Sequence, residues 1–206
     1  MNVVCLDLEG VLVPEIWINV AKKTGIKALS RTTRDESNYD VLMSQRLQIL
    51  KENNLTLSDI QDVIKTLEPL EGAFAFLQSL REITQVIILS DTFSEFASPL
   101  MEKLQFPTLF CNSLVVDEND MIVDYTLRQK DGKRKAVEAL QQIGFSVFAA
   151  GDSYNDLSMI KKAEAGALFR APESILIEEP DLPLATTYEE FIAIIKTFLA
   201  INKNKT

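Results

Sequence analysis

The sequence predicts an α/β fold: a Rossmann-like, largely parallel sheet with a small helical segment inserted after its first strand. Three observations point there. Apolar runs of strand length alternate with amphipathic stretches of helix length. Three of the apolar runs end in clusters of Asp, Ser, Glu and Gly. Residues 15–67 show helical periodicity and no convincing strand.

Each element follows in order. Residues 3–8 are a continuous apolar run broken by Glu9-Gly10, which suits a central parallel strand buried on both faces. Residues 15–23 read as a short helix closed by Gly25. Residues 39–52 are a longer helix, with Val41, Leu42, Leu47, Ile49 and Leu50 apolar. Residues 56–67 are a third, with Thr56 or Ser58 as its N-cap. Pro14 and Pro69 bracket this helical stretch, so the expected division is a core of residues 1–13 and 69–206 and a cap of residues 14–68. Strand and helix then alternate: helix 71–81, strand 86–89 and helix 94–104, where Pro99 is expected to kink the helix or end it. A hairpin over 109–116 and 121–127 turns at Asp117-Glu118-Asn119-Asp120. Helix 133–142, strand 147–150, helix 156–162, strand 165–169 and a closing helix 188–200 complete the order, with 202–206 a frayed tail.

Bulk properties narrow the function. The chain has 206 residues, 30 Asp and Glu against 21 Lys and Arg, and a formal charge of -9. That balance argues against nucleic acid or an anionic membrane as partner. No basic segment followed by a long apolar run opens the chain, and no segment reads as membrane-spanning, so a cytoplasmic location is expected. The two cysteines, Cys5 and Cys111, form no disulfide framework. There is no histidine. A catalytic imidazole and a His-ligated zinc are thereby excluded, which leaves carboxylates for acid–base work and for hard metals.

The chemistry gathers at strand ends. Asp7 and Glu9 follow the first strand, Ser90 and Asp91 the second, and Asp152, Asn155 and Asp156 a later one. In a parallel sheet these ends converge on one edge. Converging carboxylates repel and need a cation; their oxygen ligands favour Mg²⁺, and such a site polarises a phosphate and aligns a carboxylate nucleophile. A single strand-end Asp is more often a turn former or helix cap, and Asp156 in particular fits a cap that orients its neighbours. Recurrence at three ends favours function.

Four stretches resemble the haloacid dehalogenase superfamily of phosphohydrolases, and within it the phosphoserine phosphatases. They are Asp7-Leu8-Glu9-Gly10-Val11-Leu12, Ser90, Lys133 in Asp131-Gly132-Lys133-Arg134-Lys135, and Gly151-Asp152-Ser153-Tyr154-Asn155-Asp156. The resemblance covers nearly the whole chain. Most of the superfamily carries Asp where Glu9 stands; the small bacterial phosphoserine phosphatases that also transfer phosphate to homoserine resemble this chain in carrying Glu. The resemblance implies Asp7 as nucleophile and Glu9 as acid–base. It implies Asp7, Asp152 and the Glu9 carbonyl as Mg²⁺ ligands, with Ser90 and Lys133 on the phosphoryl group. It further implies that Glu15 meets a substrate ammonium and Arg46 a carboxylate, with Asp91 and Asn155 in the same pocket. Met43 is either a wall of that pocket or a core residue of the cap. The implied substrates are phosphoserine and, as acceptor, homoserine, with a homodimer left open.

Two other readings differ in class. A phosphatase for another small ester, such as a phosphosugar, needs no carboxylate clamp at Arg46. A receiver-like signalling module also uses a strand-end Asp with Mg²⁺, but it needs neither the helical insertion nor the Asp7-x-Glu9 pair.

Overall fold

The computed structural model describes residues 1–32, 35–36 and 38–203. Among them seven strands form one sheet in the order β4-β3-β2-β1-β5-β6-β7. These are β1 (Asn2–Leu6), β2 (Gln85–Phe93), β3 (Thr108–Val116), β4 (Ile122–Thr126), β5 (Ser146–Gly151), β6 (Ala165–Phe169) and β7 (Leu184–Ala185). All neighbours pair in parallel except β3 with β4, the expected hairpin. β1 lies between β2 and β5, so the chain reverses its direction of winding around β1. In such sheets the crevice for a ligand opens at the carboxyl ends of the strands flanking the reversal.

The alternation of β1 sorts its side chains. Val4 and Leu6 join one apolar cluster, and Val3 and Cys5 join a second on the opposite face. The second is covered by α6 (Gly132–Gln142), α7 (Leu157–Lys162) and α8 (Glu173–Glu178). The first is covered by α4 (Ala73–Arg81), α5 (Ser94–Lys103) and α9 (Tyr188–Lys203), where Phe76, Phe169, Tyr188 and Phe191 stack with ring centroids 4.8–5.0 Å apart.

Between β1 and α4 the chain forms α1 (Ile16–Thr24), a 3-10 turn (Lys27–Ser30), α2 (Tyr39–Glu52) and α3 (Leu57–Lys65). Their apolar residues Ile16, Trp17, Met43, Ile60 and Ile64 belong to the same cluster that covers the sheet. The Thr56 side chain caps α3 in a reciprocal box with Asp59. The hairpin turn reaches α3 as well: the amides of Leu57 and Ser58 donate to the carbonyl and carboxylate of Asp120 at 2.8 and 2.9 Å.

Some expectations need correction. Helix α5 runs through Pro99 instead of ending there. Proline leaves the carbonyl four residues back without its helical donor; here that carbonyl, of Glu95, accepts from Gln61 Nε2 at 2.8 Å. Helix α8 and strand β7 were not anticipated. Helix α9 extends to Lys203, beyond the expected end, and residues 204–206 of the expected tail lie outside the described residues. Among the described residues no helix is long and apolar enough to cross a membrane.

Candidate active site

At the carboxyl edge of the sheet, Asp7 follows β1 directly and its amide donates to Ala150 O at 2.9 Å, so the pairing with β5 sets its position. Lys133, in the first turn of α6, sends its ammonium into the same place. It lies 2.9 Å from Asp7 Oδ1, 2.7 Å from Asp156 Oδ1 and 3.5 Å from Asp91 Oδ2. Burial alone pulls this ammonium down, but Asp156, Asp7 and Asp91 hold it well above the ordinary lysine value. Asp156 is 0% exposed and accepts on its other oxygen from the amides of Asp152 and Ser153 and from the Ser153 hydroxyl, each at 3.1 Å. Its reading as an orienting cap therefore agrees with its contacts.

Two glycines make this packing possible. Gly10 has φ of 78°, and a side chain there would place its Cβ 2.4 Å from the Asp152 carboxylate. A Cβ on Gly151 would meet the Asp156 carboxyl at 2.1 Å. Neither approach leaves room for a methyl group.

The carboxylates of Asp7, Asp152 and Asp156 bring one oxygen each within 4.8 Å of one another. Burial, then Asp156, push Asp7 well above the usual carboxylate range in spite of Lys133. One ammonium does not balance three carboxylates, so an added cation would favour the ionised form of Asp7. The donor set is all oxygen, which fits a hard divalent ion. Asp156 already receives four hydrogen bonds, which makes Asp7 and Asp152 the candidate carboxylates for such an ion.

Above this floor lies a cavity of about 310 Å³, whose lining includes Asp7, Glu9, Glu15, Arg46, Thr92 and Lys133. Ser90, Asp91 and Asn155 also line it, and Asn155 Nδ2 donates to Asp91 at 2.8 Å. Glu9 Oε2 accepts from the Ile16 amide at 2.7 Å, and Thr92 lines the same cavity. Burial and the neighbouring Glu15 push Glu9 up to about 7, against the pull of Ile16, Arg46 and Thr92.

Arg46 is 7% exposed, not the surface residue its helix position suggests by itself. Its guanidinium lies over the Trp17 ring, 4.5 Å from the centroid. One terminal nitrogen donates to Arg31 O at 2.8 Å and the other faces Met43 Sδ at 3.7 Å, while Nε has no hydrogen-bond partner among the described residues. Burial lowers it to about 10, although Tyr39, Glu9 and Glu15 draw it back up. Among the described residues, the roof thus holds a buried cation with no ion-paired carboxylate, above a floor rich in anions.

One expected pocket residue lies elsewhere. Met43 is fully buried in the apolar cluster and does not line the cavity; Leu42, its neighbour on α2, does. Thr92, Trp17 and Tyr39 also line it and were not anticipated. Thr92 had a signal: it stands two residues beyond Ser90 on one strand, hence on the same face. Trp17 and Tyr39 read as apolar helix residues and carried none.

Comparison with known proteins agrees with this geometry. Residues 1–164 match the family of haloacid dehalogenase-like hydrolases. The chain is 59% identical over 190 residues to phosphoserine phosphatase ThrH of Pseudomonas aeruginosa, covering 92% of this chain and 93% of that one. It is 57% identical to a phosphoserine phosphatase of Pseudomonas syringae, covering 92% and 80%. A solved structure of a phosphoserine phosphatase as its phospho-aspartyl intermediate analogue superposes with a TM-score of 0.74 at 26% identity, covering 89% of this chain and 92% of that one. By the extent of these matches, the chain belongs to the haloacid dehalogenase-like hydrolases, within their phosphoserine phosphatase family.

Proposed function

We propose that this chain is a Mg²⁺-dependent phosphoserine phosphatase that forms a phospho-aspartate on Asp7 and passes the phosphoryl group to water or to homoserine. The observation that carries the reading is Arg46: a buried cation with no ion-paired carboxylate among the described residues, in one cavity with Glu15, Asp7 and Lys133. An amino acid bearing a phosphate monoester supplies the matching charges. Its carboxylate meets Arg46, its ammonium meets Glu15, and its phosphoryl group meets Lys133 and Ser90.

In the first step the Asp7 carboxylate attacks phosphorus, and the bond from phosphorus to the serine oxygen breaks. Glu9, pushed up to about 7, gives its proton to that oxygen. Lys133 and the Ser90 hydroxyl stabilise charge on the phosphoryl oxygens. In the second step Glu9 takes the proton of an acceptor hydroxyl, which attacks phosphorus and releases Asp7. Water yields inorganic phosphate; homoserine, with the same ammonium and carboxylate as serine, yields its phosphate ester. A bound acceptor competes with water through its effective molarity. Asp7, Asp152 and the Glu9 carbonyl would hold Mg²⁺, which neutralises charge on the phosphoryl group when bound.

Asp91 and Asn155 contact the substrate at the mouth of the cavity. Residues 14–68 serve as the cap that shields the phospho-aspartate from bulk water, and residues 1–13 and 69–206 as the catalytic core. The likeness to phosphoserine phosphatase ThrH supports action on phosphoserine, Glu9 in place of the usual Asp motivates the transfer reaction, and the two free cysteines suit a reducing cytoplasm.

The test measures phosphate release from a panel of phosphorylated metabolites with and without Mg²⁺, then follows phosphoserine with excess homoserine by ³¹P NMR. A phosphohomoserine resonance growing at the expense of phosphate is expected. Inorganic phosphate alone, at saturating homoserine, would rule out transfer and leave hydrolysis.

A further inference from the structure

We propose that the backbone N–H of Ile16, the first of helix α1, is a positioning group for Glu9, and that the extra reach of Glu over Asp at this position serves that contact. The proposal rests on the reading of Glu9 as the proton donor to the leaving group.

The geometry is specific. The first four amides of a helix lack helical partners. Helix α1 has Glu15 at its N-cap, and the Glu15 side chain makes no capping bond. The acceptor comes from outside the helix: Glu9 Oε2, 2.7 Å from the Ile16 amide. Two consequences follow. Glu15 is left facing the cavity, where a substrate ammonium would lie. Glu9, in the loop after the first strand, is thereby tied to the first turn of the segment that roofs the site. An Asp side chain is shorter by one methylene, about 1.5 Å, and would fall short of the helix.

Removing the N–H tests this. Ile16 is the first helical residue, a position that tolerates proline. Glu15 before it has φ -55° and ψ 116°, the extended conformation that proline requires of its predecessor. Ile16→Pro deletes the donor, and Ile16→Ala keeps it while also losing the buried side chain. kcat/KM is measured for both on phosphoserine and on p-nitrophenyl phosphate, whose nitrophenolate leaves without a proton. Ile16→Pro is expected to fall about tenfold or more below Ile16→Ala on phosphoserine through kcat, and to match it on p-nitrophenyl phosphate. Equal losses on both substrates, or a proline variant no worse than the alanine one, overturn the proposal.

Glu9→Gln, assayed alongside, separates the two levels. If it processes phosphoserine as wild type does, the acid role itself fails and the positioning falls with it. If it loses phosphoserine alone while Ile16→Pro does not, only the positioning fails. If Ile16→Pro does not fold, hydrogen exchange of the Ile16 amide decides. Exchange about tenfold faster in Glu9→Ala than in wild type supports the contact; equal exchange overturns it.

Discussion

The floor and the roof of the cavity handle charge in opposite ways. On the floor, Lys133 is matched by Asp7, Asp91 and Asp156, and every oxygen of Asp156 is engaged. On the roof, Arg46 is as deeply buried as Lys133 but leans on an aromatic ring and a carbonyl, with Nε left over. The floor is preorganised for a reaction that creates charge there, because its dipoles and charges are set before any ligand arrives. The roof is completed only by an anion brought from outside. On the function proposed above, the difference teaches that catalytic residues are held by the protein's own charges, whereas recognition residues are left short of a partner.

The largest expected effect lies on the floor. Asp7→Asn keeps an acceptor for Lys133 but removes the nucleophile, so turnover should fall by more than about a thousandfold while the melting temperature changes little. Rapid quenching of wild type with labelled phosphoserine should place the label on Asp7. An Asn variant with full activity would remove Asp7 from the mechanism.

The contrast between the two cations can be broken directly. Lys133→Met leaves Asp156 buried and unpaired, and should cost about 3–5 kcal/mol in urea unfolding. Arg46→Met removes a cation whose Nε is already unsatisfied and gives up one hydrogen bond and the Trp17 contact, so the ligand-free protein should lose clearly less stability than Lys133→Met does. Equal losses in the two variants would erase the distinction between floor and roof. Arg46→Ala should instead cost about 2–5 kcal/mol in kcat/KM on phosphoserine, and much less on phosphoethanolamine, which lacks the carboxylate.

A smaller effect concerns pH. Glu9 lies where floor and roof meet, and its folded value is raised to about 7. A carboxyl raised on folding binds its proton more tightly in the folded state. Stability is then lost as pH rises from the ordinary glutamate value to about 7, and is level beyond. Glu9→Gln cannot ionise, so its melting temperature relative to wild type should climb from pH 4.5 to pH 7. A constant difference across that window would show that Glu9 ionises without cost.

The smallest effect should be seen in hydrogen exchange. Helix α3 is pinned to the core by Asp120 and through Gln61, whereas α2 carries the incomplete Arg46. Beryllofluoride with serine should protect residues 39–46 more than residues 57–65. Protection confined to α3 would place the adjustable part of the roof elsewhere.

Much of the fold was legible because the elements carry local signals. The bounds of α2 match the expectation from its apolar spacing, and Thr56 is the cap its hydroxyl and the Asp59 three residues on suggest. Helix α8 has six residues and β7 two, too few to display a period. A boundary at Pro99 is avoided because the donor that satisfies the freed Glu95 carbonyl, Gln61, lies in another helix 34 residues before Glu95.

For the site, the sequence by itself determined that Asp7, Ser90, Asp152 and Asp156 gather on one edge, because strand ends of a parallel sheet converge whatever the loops do. Lys133 followed only from the family resemblance, and the structure brings its ammonium to Asp7 and Asp156. Only the tertiary structure decided the roof. Whether Arg46 meets a carboxylate or the Trp17 ring, whether Met43 or Leu42 faces the cavity, and that Glu9 reaches Ile16 are matters of how α1 and α2 are rotated against the sheet. A helix's own pattern states which face is apolar. It does not state what lies opposite a polar residue at the border of that face, because that neighbour comes from a distant part of the chain.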